Sequence, residues 1–188
     1  MPPSEREVGV LERLWNGWRS AYVQGLADDT LPIGEGQIGD GQIGEGSVFT
    51  RILGSGLEDA QTNIVHRGAR CFAILNAFPY STGHVLVLPY REVADLEDLE
   101  PDEAAELWGT VTDAVVAIKQ AYAPQGLNIG INLGKPAGGS ISEHLHVHVV
   151  PRWTGDSNFM TAIANTRTLP EVLADTAARL RAGWPTVS

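Results

Sequence analysis

Apolar residues recur along this chain with two different spacings, and the changes between them mark out its elements. Over residues 5–26, Leu11, Trp15, Trp18 and Tyr22 fall three or four apart, the period of one helical face. Gly9, Gly17 and Gly25 weaken that helix, and its tryptophans read as core anchors. Near Phe49 the pattern tightens into short runs. Residues 63–66, 70–76 and 84–88 are dense in aliphatic and β-branched side chains and read as strands. The segment Pro79-Tyr80-Ser81-Thr82-Gly83 between the last two reads as a hairpin-like turn. The helical period then returns. Pro101, with Asp102 and Glu103, opens a long helix over 101–122, with Leu107, Val111, Val115 and Ile118 inward and Trp108 at the edge. Pro124 and Gly126 end it. A strand over 127–133 follows, then a glycine loop, then a strand over 144–150. A last helix is expected over 170–182, with Leu169, Val172, Leu173, Thr176 and Leu180 inward. Strands and helices do not alternate regularly, so the expected class is α+β with a mostly antiparallel sheet.

Between the first helix and the core lies a pentad repeated three times over residues 32–46, Ile-Gly-acidic-Gly at its centre. Its glycines supply backbone freedom and little to bury, so it reads as a flexible insertion. A calcium loop is the sharper alternative, but the acidic residues are sparse for a coordination shell. The expected organisation is an N-terminal helix over 1–30, this insertion over 31–47, a core domain over 48–155, and a C-terminal extension with a helix over 156–188.

The strand at 144–150 carries the chemistry. His144, His146 and His148 alternate with Leu145, Val147 and Val149, so the imidazoles share one face and the aliphatics the other. The chain has five histidines in all. Val or Thr would build a strand more easily than three of them. Just upstream, Ala137-Gly138-Gly139-Ser140 suits a tight turn of backbone N–H groups, the kind that holds anions. Imidazoles beside an anion cradle suggest chemistry at phosphorus. A metal site competes, because imidazole is a common metal ligand. Yet Cys71, the single cysteine, stands alone. A core strand that carries histidines by chance competes too, at the cost of partners for every buried ring.

Composition narrows the options. A net charge of −10 and a pI near 4.8 argue against a nucleic-acid groove. A small anion is still compatible, given local dipoles and a few cations. Lys135 and Arg152 flank the histidine strand and could supply them. One cysteine leaves no disulfide framework. No run reaches membrane-span length and no signal peptide is evident, so a cytoplasmic protein without membrane contact is expected. Cys71 reads as a small core hydrophobe, and His66 lies outside every motif.

His144-x-His146-x-His148 followed by two valines resembles the signature of the histidine triad (HIT) superfamily. The stretch from Asn76 to Pro89, Asn132-Leu133-Gly134, Gly138-Gly139 and Val150-Pro151-Arg152 fit as well, so the resemblance spans residues 49–153. Gly155-Asp156, Asn158-Phe159 and the segment Leu11 to Trp15 are similar to actinobacterial diadenosine tetraphosphate phosphorylases. The resemblance implies a HIT-like fold, one long helix on a mostly antiparallel sheet with N- and C-terminal helices, assembled as a homodimer or higher homo-oligomer. It implies phosphorolysis of diadenosine tetraphosphate to ATP and ADP, with hydrolysis of a dinucleoside polyphosphate or a nucleoside phosphoramidate as alternatives. A non-catalytic purine-nucleotide-binding regulator is the alternative of another class.

Residue by residue, the resemblance makes His146 the nucleophile at the α-phosphorus and His148 a donor to phosphate oxygens. His144 would orient the site against His84. Asn76 would lie near the ribose. Asn132, Ser140 and the N–H groups of Gly138 and Gly139 would hold phosphate oxygens, with Lys135 and Arg152 nearby. No cofactor is required by this scheme, and Mg²⁺ can accompany the polyphosphate. Two departures stand out. Ser140 replaces the glutamine of many members, which leaves room for orthophosphate or simply shapes the turn. Ser47-Val48-Phe49-Thr50 occupies the place of a Cys-x-x-Cys zinc pair found in some bacterial members, so zinc is not expected there.

Overall fold

The computed structural model describes residues 46–138, 141–156 and 171–186. The expected N-terminal helix, most of the pentad repeat, Gly139, Ser140 and Leu169 lie outside the described residues.

Helix α1 (Val48–Gly54) comes first among the described elements, with Ser47 as its N-cap accepting from the Thr50 N–H. The one-turn helix α2 (Asp59–Thr62) ends at Asn63, which turns left-handed at φ 60°. Strands β1 (Ile64–Arg67), β2 (Cys71–Leu75) and β3 (Val85–Pro89) follow. Then come helix α3 (Pro101–Tyr122), strand β4 (Gly126–Ile131), strand β5 (Val147–Arg152) and helix α4 (Leu173–Ala182). The five strands form one sheet in the order β1-β2-β3-β5-β4, and every neighbouring pair is antiparallel. The class is α+β, as the patterning predicts.

Helix α3 matches its expected bounds because its ends carry strong local signals. Pro101 sits in the first turn, Glu100 and Glu103 form a capping box, and Ala123 breaks the helix left-handed at φ 44°. Its Leu107, Val111, Ala114 and Ile118 pack with Ala177 and Leu180 of α4 onto Val85, Val87, Val147 and Val149. Leu107 and Ile118 are fully buried, each worth about 1.5–3 kcal/mol of apolar transfer. Trp108 lies at the edge, 46% exposed. On the opposite face of the sheet, Phe49 of α1 joins Phe72, Ile74, Leu86 and Leu88 in a second core. Strands β2 and β3 are therefore buried on both faces, which explains their continuous apolar composition.

Two expectations are corrected here. The histidine strand begins at Val147, not at His144. The Leu145 N–H goes to Val93 O in the loop after β3, at 2.6 Å, so the regular ladder starts only beyond it. The alternation nevertheless holds, since Leu145, Val147 and Val149 all enter the helix-side core. Helix α4 starts later than expected, and Val172 caps it in an extended conformation with 65% of its surface exposed. Val172 is not an inward residue, whereas Thr176 and Leu180 are. Among the described residues no helix is long and apolar enough to cross a membrane.

Candidate active site

Sheet order alone brings the site together. Register places His148 opposite Leu86 on β3 and opposite Gly130 on β4. Directly opposed residues share a face. His84, just before β3, reaches the same face, as does Asn132 just after β4.

The hydrogen bonds of each ring decide its tautomer. The buried His144 places Nε2 2.9 Å from the Pro89 carbonyl, which can only accept, so Nε2 carries the proton. Its Nδ1 then accepts from the Ser47 hydroxyl at 2.8 Å. His146 places Nδ1 2.8 Å from the His144 carbonyl, so that nitrogen is protonated and Nε2 keeps its lone pair. Burial pushes both His144 and His146 below the ordinary imidazole pKa. For His146 the bond to the His144 carbonyl opposes that shift without overcoming it. A neutral ring with a bare Nε2 is what a nucleophile needs.

His148 is set by a different chain. The Tyr80 N–H donates to His84 Nδ1 at 3.1 Å, which leaves the His84 proton on Nε2. His84 Nε2 lies 3.0 Å from His148 Nδ1 and donates to it. His148 therefore carries its proton on Nε2, on the side of Asn132. Its ring centroid is 5.0 Å from that of His146. The expected contact between His144 and His84 is thus corrected: His84 meets His148, while both nitrogens of His144 are held by Ser47 and Pro89. The reason is register, because β3 pairs with β5 so as to put His148 beside Leu86.

Asn76 closes β2 beside His84, with Nδ2 3.4 Å from His84 Nδ1 and Oδ1 accepting the Phe78 N–H. Asn132 lies on the other side, its amide 3.4 Å from His148 Nε2; since that ring nitrogen carries the proton, the amide must present Oδ1 to it as acceptor. The row Asn76, His84, His148, Asn132 thus crosses the sheet from β2 to β4. Three other expectations change. The Gly138 N–H donates to Lys135 O at 2.9 Å, closing a 3₁₀ turn, so it does not offer itself to an anion in this conformation. Lys135 is exposed on that turn. Arg152 is not a loose cation. Its Nε and second terminal nitrogen grip both oxygens of Asp156 at 2.6 and 2.8 Å, and its first terminal nitrogen donates to Asn128 Oδ1.

Sequence reading assigns no site role to Ser47, Glu92, Asn128 or Asp156, which the structure ties to the histidine strand or its neighbours. Glu92 takes the Ser47 N–H at 2.8 Å and the Thr50 hydroxyl at 2.5 Å. The Thr50 bond, then the Ser47 bond, hold its carboxyl below the usual range. These partners are distant in sequence, so no spacing motif could signal them. Ser47 and Thr50 stand where the resemblance puts the zinc pair, beside His144, and two hydroxyls and a fully engaged imidazole do not suit zinc. Among the described residues, no cluster of three or more His, Cys, Asp or Glu is placed to hold a metal.

Comparison with known proteins identifies the family. Residues 58–155 match the HIT domain family. The AP-4-A phosphorylase of Mycobacterium tuberculosis is 41% identical over 96% of this chain and 89% of its own length. The asymmetrical bis(5'-nucleosyl)-tetraphosphatase of Schizosaccharomyces pombe is 36% identical over 50% of the chain and 52% of its own length. A zinc-bound histidine triad family protein from Mycobacterium smegmatis superposes with a TM-score of 0.59 at 28% identity, covering 73% of this chain and 91% of that one. The chain belongs to the HIT domain family.

Proposed function

We propose that this enzyme cleaves diadenosine tetraphosphate by phosphorolysis, through a nucleotide held covalently on His146. The observation that carries the reading is the tautomer of His146. The His144 carbonyl fixes the proton on Nδ1 and leaves Nε2 free to attack. The near full-length similarity to an AP-4-A phosphorylase supports this substrate.

In the first step His146 Nε2 attacks the α-phosphorus. A P–N bond forms, the P–O bond to the β-phosphate breaks, and ATP departs with that oxygen. The ring becomes cationic, and its Nδ1–H on the His144 carbonyl stabilises the charge. His148 Nε2–H and Asn132 meet the phosphoryl oxygens where the transition state spreads its charge. In the second step an orthophosphate oxygen attacks the same phosphorus. The P–N bond breaks, ADP leaves, and His146 returns neutral. Asn76 sits near the ribose, and Ser140, Gly139 and Lys135 serve the phosphates. The reaction uses no resident cofactor, and Mg²⁺ enters with the polyphosphate. A homodimer in the cytoplasm, without nucleic-acid partners, is the working form we propose.

Product analysis tests the reading. With orthophosphate, diadenosine tetraphosphate should give ATP and ADP in equal amounts. ATP with AMP, formed regardless of added orthophosphate, would replace phosphorolysis with hydrolysis.

A further inference from the structure

A cavity of about 430 Å³ lies along β4, between Tyr80, Asn128, Gly130, His148 and the Arg152–Asp156 pair. Its size is within the roughly 300–1,000 Å³ common for small-molecule sites. It adjoins the catalytic row at the Asn132 end, opposite Asn76.

Strand β4 alternates in a way its core role does not require. Gly126, Asn128 and Gly130 turn to the His148 face, while Leu127, Ile129 and Ile131 turn to the helix side. A side chain added at Gly126 or Gly130 would meet nothing within 4 Å. The strand has been left bare over open space, beside a hydrogen-bonding amide.

The charge of the cavity is equally informative. Arg152 is the one Lys or Arg among the described residues lining it, and Asp156 grips its guanidinium at two points. A polyphosphate would meet that carboxylate at close range. Ribose hydroxyls, which are neutral and both donate and accept, suit this carboxylate and the Asn128 and Asn132 amides. The Tyr80 ring offers apolar surface to a base.

We infer that this cavity receives the nucleoside end of the leaving group, and not its phosphates. The inference rests on the dinucleotide reading above. The attacked nucleotide occupies the Asn76 side, the reacting phosphorus sits over His146 and His148, and the second nucleoside lies along β4. Asp156 acts as a specificity residue by neutralising Arg152.

The test compares diadenosine tetraphosphate with adenosine 5′-tetraphosphate, which has the same number of phosphates and no second nucleoside. Binding is measured by calorimetry in the His146→Ala protein, so turnover does not intervene. The dinucleotide should bind at least about tenfold more tightly, as expected when a whole group fills a pocket. Adding Gly130→Val should lower that ratio at least about fivefold. Valine carries no charge, so the change in ratio isolates the filled space. It also favours a strand, and a thermal melt checks the fold. Gly130→Ala should give a smaller change in the same direction. Asp156→Asn, which frees Arg152 for phosphates, should lower the ratio too. A ratio near one in the parent, or one that Gly130→Val leaves unchanged, overturns the inference. Nucleotidylation of the His146-containing protein is scored separately. Its failure would remove the reaction proposed above while leaving the binding ratio to decide the subsite.

Discussion

Removing one buried hydroxyl should show how far the nucleophile depends on residues outside the triad. Ser47 is 1% exposed, and its hydroxyl donates to His144 Nδ1 at 2.8 Å while accepting the Thr50 N–H at the start of α1. Ser47→Ala removes both bonds. Leaving the buried His144 Nδ1 without a donor costs about 1–3 kcal/mol. Losing the helix cap costs about another 1 kcal/mol. The sum, about 2–4 kcal/mol, corresponds to roughly 4–16 °C in Tm for a chain of this size. Differential scanning calorimetry reads the shift directly. The His144 carbonyl also holds His146, so the first-order rate of nucleotidylation should fall while substrate affinity changes little. Ser47→Thr keeps the hydroxyl and should recover part of both losses. A Tm within about 2 °C of wild type for Ser47→Ala would refute this assignment of His144.

Further outcomes follow from the same geometry. The acid limb of the nucleotidylation rate should lie below the ordinary imidazole pKa, because burial lowers that of His146 and its neutral form attacks; a limb above pH 6.5 in a stopped-flow profile would contradict this. His148→Ala should slow nucleotidylation roughly 10²–10³-fold, the usual cost of one donor to a transition-state oxygen. His84→Ala should cost less, and the double variant no more than His148→Ala alone, since His84 acts through His148. Gly83 has φ +84°, and a Cβ there would lie 3.2 Å from the Tyr122 ring. Gly83→Ala should therefore destabilise by roughly 1–3 kcal/mol, read in a urea titration, and a neutral result would mean that the loop before His84 relaxes freely.

Much of this molecule is legible locally. Helix α3 announces both ends, through Pro101 and its acidic first turn and through Pro124 and Gly126 just beyond the structural break at Ala123. The alternation from His144 to Val149 assigns each side chain to its face, because strand period is a property of the backbone itself. Val172 misleads, since an apolar residue at helical spacing looks inward until a cap turns it to solvent. The electrostatic state of the site is not legible in the same way. That His84 serves His148 depends on how β3 pairs with β5. That Arg152 is neutralised depends on Asp156 folding back onto it, although the two are only four residues apart. The Ser47–His144 bond joins segments 97 residues apart. The two long-range facts belong to tertiary register, which no short spacing encodes.

The central claim concerns a single nitrogen, Nε2 of His146. Rapid acid-free quenching of the enzyme with radiolabelled diadenosine tetraphosphate, followed by peptide mapping, tests it directly. The account predicts one nucleotidyl group per chain on His146, stable to base, labile to acid, and discharged as ADP when orthophosphate is added. Turnover at full rate with no such adduct, or with the label on another residue, would contradict it.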